Sequence, residues 1–172
     1  SDPFVSLNAM DGFSTIEKWV TTFTGFPNAI DVGSVVPGQS VRFFEVSTVF
    51  GTIVIVSGIV RELVPGVDYI TAVSGPNLLI IPLKPLREMT TYMAVLTNDI
   101  NDSAGNDASP SSVYGLAKSD TPWVDENGNS TYPLIPDDLA PTLEGLRQMT
   151  ASMEAAAASV GIPKEDIILS WT

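Results

Sequence analysis

Residues 81–106 read IPLKPLREMTTYMAVLTNDINDSAGN, and this stretch decides the fold. Pro82 and Pro85 lack the N–H that a central ladder needs, so the strand reaching Ile81 ends there. A threonine pair, Thr90 and Thr91, leads into Tyr92, which heads the apolar run Met93–Leu96. Asp102, Gly105 and Asn106 make a D-x-x-G-N turn, in which Asp and Asn side chains bond nearby backbone and Gly supplies positive φ. The whole predicts a hairpin, the last of a β domain. Leu78–Ile81 and Met93–Leu96 are apolar at successive positions rather than alternating, which predicts central strands covered on both faces. Tyr92 stands where sandwiches place a corner tyrosine bonded back to a loop.

Upstream, short apolar runs bounded by turn residues predict strands at Val20–Phe26, Val41–Val46, Ile53–Val60 and Tyr69–Val73. Pro37-Gly38 and Pro65-Gly66 have the order that type II turns require, and Ser74-Gly75-Pro76-Asn77 is a short hairpin loop. The β-branched content of residues 53–60 favours a buried strand over a helix. The uncharged stretch Val46–Val60 also falls short of the ~20 apolar residues of a spanning helix.

Downstream, residues 118–138 are polar and rich in Asp, Asn, Gly and Pro, with Trp123, Tyr132, Leu134 and Ile135 as expected anchors. A helix follows, with Asp137 or Asp138 as its cap and Pro141 in its first turn. Leu139, Leu143, Leu146, Met149 (or Thr150), Met153, Ala157 and Val160 recur at helical spacing and predict one stripe packed on the sandwich. Gly161 ends the helix, Pro163 prevents its restart, and Ile167–Trp171 is a final strand. The expected fold is mainly β: an antiparallel sandwich of about seven strands with one amphipathic helix near the C-terminus. It forms one domain over residues 1–172, with a loop-plus-helix excursion at about 119–162 and the last strand at 167–171.

Charge and composition narrow the function. The chain has 20 acidic and 8 basic residues, a net charge of −12. Nucleic acid and anionic membrane surfaces are therefore poor partners, because both are met by clustered bases. There is no His and no Cys in 172 residues. That excludes Ser-His-Asp and Cys-His catalysis, disulfides and thiolate metal sites. No G-x-S-x-G elbow or S-x-x-K occurs; Ala157-Ala158-Ser159-Val160-Gly161 is the nearest variant and lies at a helix end. No catalytic residue and no cofactor are expected. Asp125-x-Asn127-x-Asn129 copies the opening of a calcium loop, but Gly128 stands at the fourth place and no Glu closes the loop. Asp125, Asn127 and Asn129 are thus weak calcium candidates, better read as a turn, as is Asp99-x-Asn101-x-Ser103.

The segments also carry a family resemblance. They are Leu7–Thr15 (LNAMDGFST), Val41–Val46 (VRFFEV), Arg61-Glu62-Leu63 with Pro65–Tyr69, and Ile81–Asp102. Leu143–Gln148, Glu154–Ala157 and Ile167–Thr172 complete the set. In this order they resemble the N-terminal domain of bacterial extracellular virulence-factor lipases, the surface lysophospholipase type. That domain is a bacterial immunoglobulin-like module. The resemblance implies a non-catalytic chain that supports a downstream α/β-hydrolase domain, its partner, whose Ser-Asp-His triad lies outside these residues. Lipid would be met only through that domain. It further implies export, any signal having been trimmed before Ser1-Asp2-Pro3. The implied location is extracellular or on the outer-membrane surface of a Gram-negative bacterium, within a lipoprotein. Two other classes remain: an adhesion or ligand-binding module using Trp19, Trp123 and Trp171 as an aromatic platform, and a small esterase in its own right.

Overall fold

The computed structural model describes residues 15–133 and 135–172. Most of the Leu7–Thr15 match and the anchor Leu134 lie outside them. Among the described residues seven strands form two antiparallel sheets. They are β1 (Trp19–Thr22), β2 (Val41–Phe50), β3 (Val54–Glu62), β4 (Tyr69–Ser74), β5 (Asn77–Pro82), β6 (Thr91–Thr97) and β7 (Ile167–Trp171). The sheet orders are β1-β5-β4 and β3-β2-β6-β7. Two helices, α1 (Ser112–Ala117) and α2 (Ala140–Ala158), come between β6 and β7. The paired orders follow the Greek-key logic of an immunoglobulin-like sandwich, with β6 where the corner-tyrosine strand belongs.

Residues 81–106 are not a hairpin. β5 ends in the three-stranded sheet and β6 begins in the four-stranded one, where it pairs with β2 and β7. Residues 83–90 cross between sheets, and Tyr92 fixes the corner by accepting a 3.0 Å hydrogen bond from the Arg87 backbone N–H. The next strand of the sheet, β7, arrives only after the helical excursion. β6 is central and buried on both faces, as its unbroken apolar run requires. Tyr92, Ala94 and Leu96 face the core between the sheets, while Met93 and Val95 face a second core under the helices. β2 divides in the same way, with Val41 and Phe43 in the first core and Phe44 and Val46 in the second. β5 is central too, but only Leu78 and Ile80 are buried; Leu79 and Ile81 are half-buried, since among the described residues nothing like the helical layer covers that sheet.

Several elements differ from expectation. β1 stops at Thr22, and Phe23 and Phe26 stack at 5.3 Å against the inter-sheet core instead of extending the strand. β2 runs on to Phe50 because its ladder with β3 continues through two register shifts. α1 was not expected, its six residues being too few to show a period; Ser111 caps it by accepting from Tyr114 N–H at 3.2 Å. The cap of α2 also differs. Leu139 holds the cap position with no side-chain bond, while Asp137 accepts from Ser130 N–H at 2.8 Å.

The two Pro-Gly turns are one device used twice. Gly38 N–H and Gly66 N–H each donate at 2.8 Å to the residue three places on, Val41 and Tyr69. Ser40 Oγ and the Asp68 carboxylate each accept from the backbone N–H four residues back. Tyr69 joins the turns: its hydroxyl accepts from Gly38 N–H at 3.1 Å and donates to Val41 C=O at 3.0 Å. Burial pushes that phenol up to about 12, so it stays protonated and able to donate. Gly38 (φ 84°) and Gly66 (φ 73°) are both left-handed, but only at Gly38 would a Cβ meet a neighbour, Pro65 Cγ at 3.1 Å. Gly66→Ala is expected to cost about 1–2 kcal/mol from backbone strain alone. Gly38→Ala is expected to cost more, because Pro65 must also move. Urea melts of the two variants check this, and equal losses would show that the turns do not press on each other.

Candidate functional surface

The scarce bases are spent in ion pairs that tie neighbouring segments together. Every arginine and three of the four lysines lie in ion pairs within 4.0 Å. Arg42 makes two hydrogen bonds to Glu62, at 2.8 and 2.7 Å, lies over the Phe44 ring, and donates to Val160 C=O at the end of α2. Buried Glu45 receives Arg61 and Arg87, which ties the 83–90 crossover to β2 and β3. Arg61 also reaches Asp68 at 3.1 Å. The guanidinium of Arg87 holds the Glu45 carboxyl below the usual range, against the pull of burial.

Two carboxylates sit on the buried side of α2. Glu144 accepts from Trp123 N–H at 2.8 Å, from Gln148 at 2.9 Å and from two nitrogens of Arg147 at 2.8 and 2.7 Å. Arg147 in turn donates to Ser119 C=O, so the pair clasps the 118–138 loop onto the helix. Chiefly through Arg147, the Glu144 carboxyl is drawn down to about 2. Glu154 is 3% exposed and faces Lys164 at 3.7 Å and Lys118 at 4.0 Å. Its Oε1 makes no hydrogen bond, and burial pushes this carboxyl up. Lys118 meanwhile donates to the carbonyls of Lys164 and Ile167, fixing the end of α1 to the start of β7.

Asp125, Asn127 and Asn129 come together as a turn. Asp125 Oδ1 accepts from the backbone N–H of Asn127 and Asn129, both at 2.8 Å, and Oδ2 accepts from the Asn129 side chain. Asp102 does the same in its D-x-x-G-N turn, accepting from Ala104 and Asn106 N–H at 2.9 Å. Asp102 is buried and also holds Asn28, whereas Asp125 is exposed. Asp99 accepts from Thr97 rather than joining Asn101 and Ser103. Among the described residues, no group of three or more carboxylates is gathered as a metal cage.

The three tryptophans do not form one platform. Trp19 and Trp171 lie 6.0 Å apart at the edge of the inter-sheet core, and Trp19 also meets Phe43 edge-on at 4.9 Å. Trp123 is buried and attached to α2 through Glu144. Its neighbour Tyr132 is 40% exposed, a weaker anchor than its sequence position promised.

Two open, largely apolar surfaces flank α1. On one side a groove of about 320 Å³ is lined by Val113, Leu146, Met149, Leu169 and Trp171, among others. On the other a depression of about 440 Å³ is lined by Leu116, Trp123 and Tyr132 with neighbouring polar residues. Neither contains a nucleophile beside a base. The one buried serine at the groove, Ser170, shares a 2.7 Å hydrogen bond with the Tyr114 hydroxyl. Burial pushes that phenol well above its ordinary value, so it is no base at neutral pH.

A family model for the bacterial virulence factor lipase N-terminal domain matches residues 1–169. The chain belongs to that family. No curated protein matches it. Membership fits a non-catalytic N-terminal module of a bacterial lipase and a secreted or surface location. Among the described residues no helix is long and apolar enough to cross a membrane. No sequence motif pointed to the open apolar surface around α1. The only signal was negative: an uncharged segment, SVYGLA, within a strongly acidic chain.

Proposed function

We propose that this chain is the non-catalytic leading module of a secreted or surface-exposed bacterial lipase or lysophospholipase. Its role is to support and orient a downstream α/β-hydrolase domain. The observation that carries the reading is the family match over residues 1–169. The chemistry agrees with it: without an imidazole the chain lacks the usual base for a serine nucleophile. The bases that might serve as electrophiles are held in ion pairs. What the fold supplies is rigidity, two cores on either side of one sheet. The parent is further proposed to be an outer-membrane lipoprotein of a Gram-negative bacterium, with this module setting the catalytic domain's orientation to the lipid surface.

The catalytic part expressed without this module is expected to lose solubility or melt at a lower temperature. Full activity with an unchanged melting temperature would refute the supporting role. This chain alone is expected to give no turnover of a chromogenic ester above buffer, and clear turnover would return it to the enzymes.

A further inference from the structure

Two leucines of the expected stripe, one at the cap of α2 and one within it, do not lie where the helix is buried. Its buried residues include Ala140, Glu144, Thr150, Met153, Glu154 and Ala157. Leu139, by contrast, is 51% exposed and Leu146 36%. The apolar stripe expected to pack on the sandwich does so only in its second half. α1 behaves likewise: it has no charged residue, yet Val113 is 69% exposed. A helix facing water for good carries polar residues on its outer side. With 20 acidic residues in all, this chain has polar residues in plenty.

Two of these exposed residues, Val113 and Leu146, border one groove, together with Met149, Leu169, Trp171 and Thr172. Its polar floor is already satisfied by the Tyr114–Ser170 hydrogen bond. We propose that this groove, between α1, α2 and the end of β7, is where the catalytic part of the parent lipase docks, seating apolar side chains in it. The inference rests on the reading of the chain as an N-terminal module.

Position argues for that occupant. In a lipase that begins with this module, the polypeptide following β7 leaves from the groove's own wall. A partner carried in the same polypeptide is met intramolecularly rather than from solution, so a modest apolar contact suffices to hold it. A lipid fits less well. Among the described residues that line the groove there is no lysine or arginine to receive a phosphate headgroup. The groove's volume of about 320 Å³ also lies at the bottom of the ~300–1,000 Å³ range of ligand pockets.

Hydrogen exchange on the full-length lipase and on this chain alone tests the assignment. Amides of residues 113–117 and 169–171 are expected to exchange roughly tenfold or more slowly in the full-length protein, with the three-stranded sheet unchanged. Val113→Asp combined with Leu146→Asp is expected to abolish that difference. The same pair should leave the melting temperature of this chain alone unmoved, since both side chains are exposed. Val20→Asp on β1, also at an exposed position, is expected to leave the difference intact. Equal exchange at these amides in both proteins overturns the docking site. If protection then appears on another face, the supporting role stands and the face was wrong. If it appears nowhere and the catalytic part is stable alone, that role fails as well. A dimer of this chain that Leu146→Asp dissociates would overturn the proposal in favour of a second copy. A shift of Trp171 emission with lysophospholipid micelles, abolished by Leu146→Asp, would overturn it in favour of lipid.

Discussion

Phe43→Ala is expected to remove about 3–5 kcal/mol of folding stability, the largest loss foreseen for any single truncation in this chain. Phe43 has no exposed surface and lies among three rings. Trp19 and Tyr69 meet it edge-on with centroids at 4.9 and 5.6 Å, and Tyr92 lies at 5.8 Å. Those partners come from β1, β4 and β6, so one side chain joins both sheets. Each aromatic pair adds roughly 0.5–1.5 kcal/mol beyond the area buried. The backbone around it cannot close the space, because β2 is clamped between β3 and β6. Since a domain has only about 5–15 kcal/mol in total, the variant is expected to melt roughly 6–20 °C lower. Phe44→Ala is the informative comparison. Its ring is equally buried but faces the helical layer, where Met153, Ala156 and Ile162 form a more adaptable lining. Phe43→Ala should alter the Trp19 near-ultraviolet signal and Phe44→Ala should not. A loss below about 1.5 kcal/mol for Phe43→Ala would show that the inter-sheet core is not centred on this ring.

What was legible in residues 81–106 was burial, and what was not was partnership. The run Met93–Leu96 announced a strand covered on both faces, because no alternation can survive when both sides are core. Tyr92 announced its corner for a local reason, since the backbone it bonds is five residues away. The pairing of β6 was illegible. Adjacent strands usually pair, so a hairpin with β5 was the natural expectation. The actual partners are β2, about fifty residues earlier, and β7, about seventy later. Local turn chemistry does not encode that choice; closure of two cores on one sheet does. The paired turns at Asp102 and Asp125 were legible for the opposite reason, since the bonds that shape them span two to four residues, although Asp102 also holds Asn28.

The face of α2 was misjudged in its first half for a related reason. Periodicity places leucine inward because it assumes that carboxylates stay in water. Glu144 and Arg147 break that assumption together, each having found partners on the 118–138 loop. Glu154 breaks it through Lys118 and Lys164, which arrive from either side of the helix in sequence. With those charges inside, the helix is turned so that Leu139 and Leu146 face out. The sites that sequence reasoning could name were turns. The surface it missed is the residue of this rotation, and no motif marks it.

Removing the Glu144 carboxylate is accordingly expected to be costly, and costly in a pH-dependent way. Glu144→Ala leaves the Arg147 guanidinium, 13% exposed, without its counter-charge and the buried Trp123 N–H without an acceptor. The fall of this carboxyl from its usual 4.5 to about 2 corresponds to about 3 kcal/mol at ~1.4 kcal/mol per unit. For a depressed carboxyl this stability is complete above about 4.5 and is lost as the pH falls toward 2. Glu45 and Asp68 are lowered as well and act in the same direction, while Glu154 is raised and acts oppositely. The readout is therefore the difference between wild type and Glu144→Gln, which keeps an acceptor for Trp123 but not the charge. Urea unfolding between pH 7 and 2.5 should show Glu144→Gln less stable than wild type at pH 7, with the gap closing below pH 4.5. Glu144→Ala should lose about 3 kcal/mol at pH 7. Glu144→Leu combined with Arg147→Leu should regain part of it, because an apolar pair leaves no buried charge behind. If Glu144→Ala stays within about 1 kcal/mol of wild type, or the gap does not narrow in acid, the clasp between α2 and the loop is not electrostatic. The rotation of the leucines outward would then need another cause.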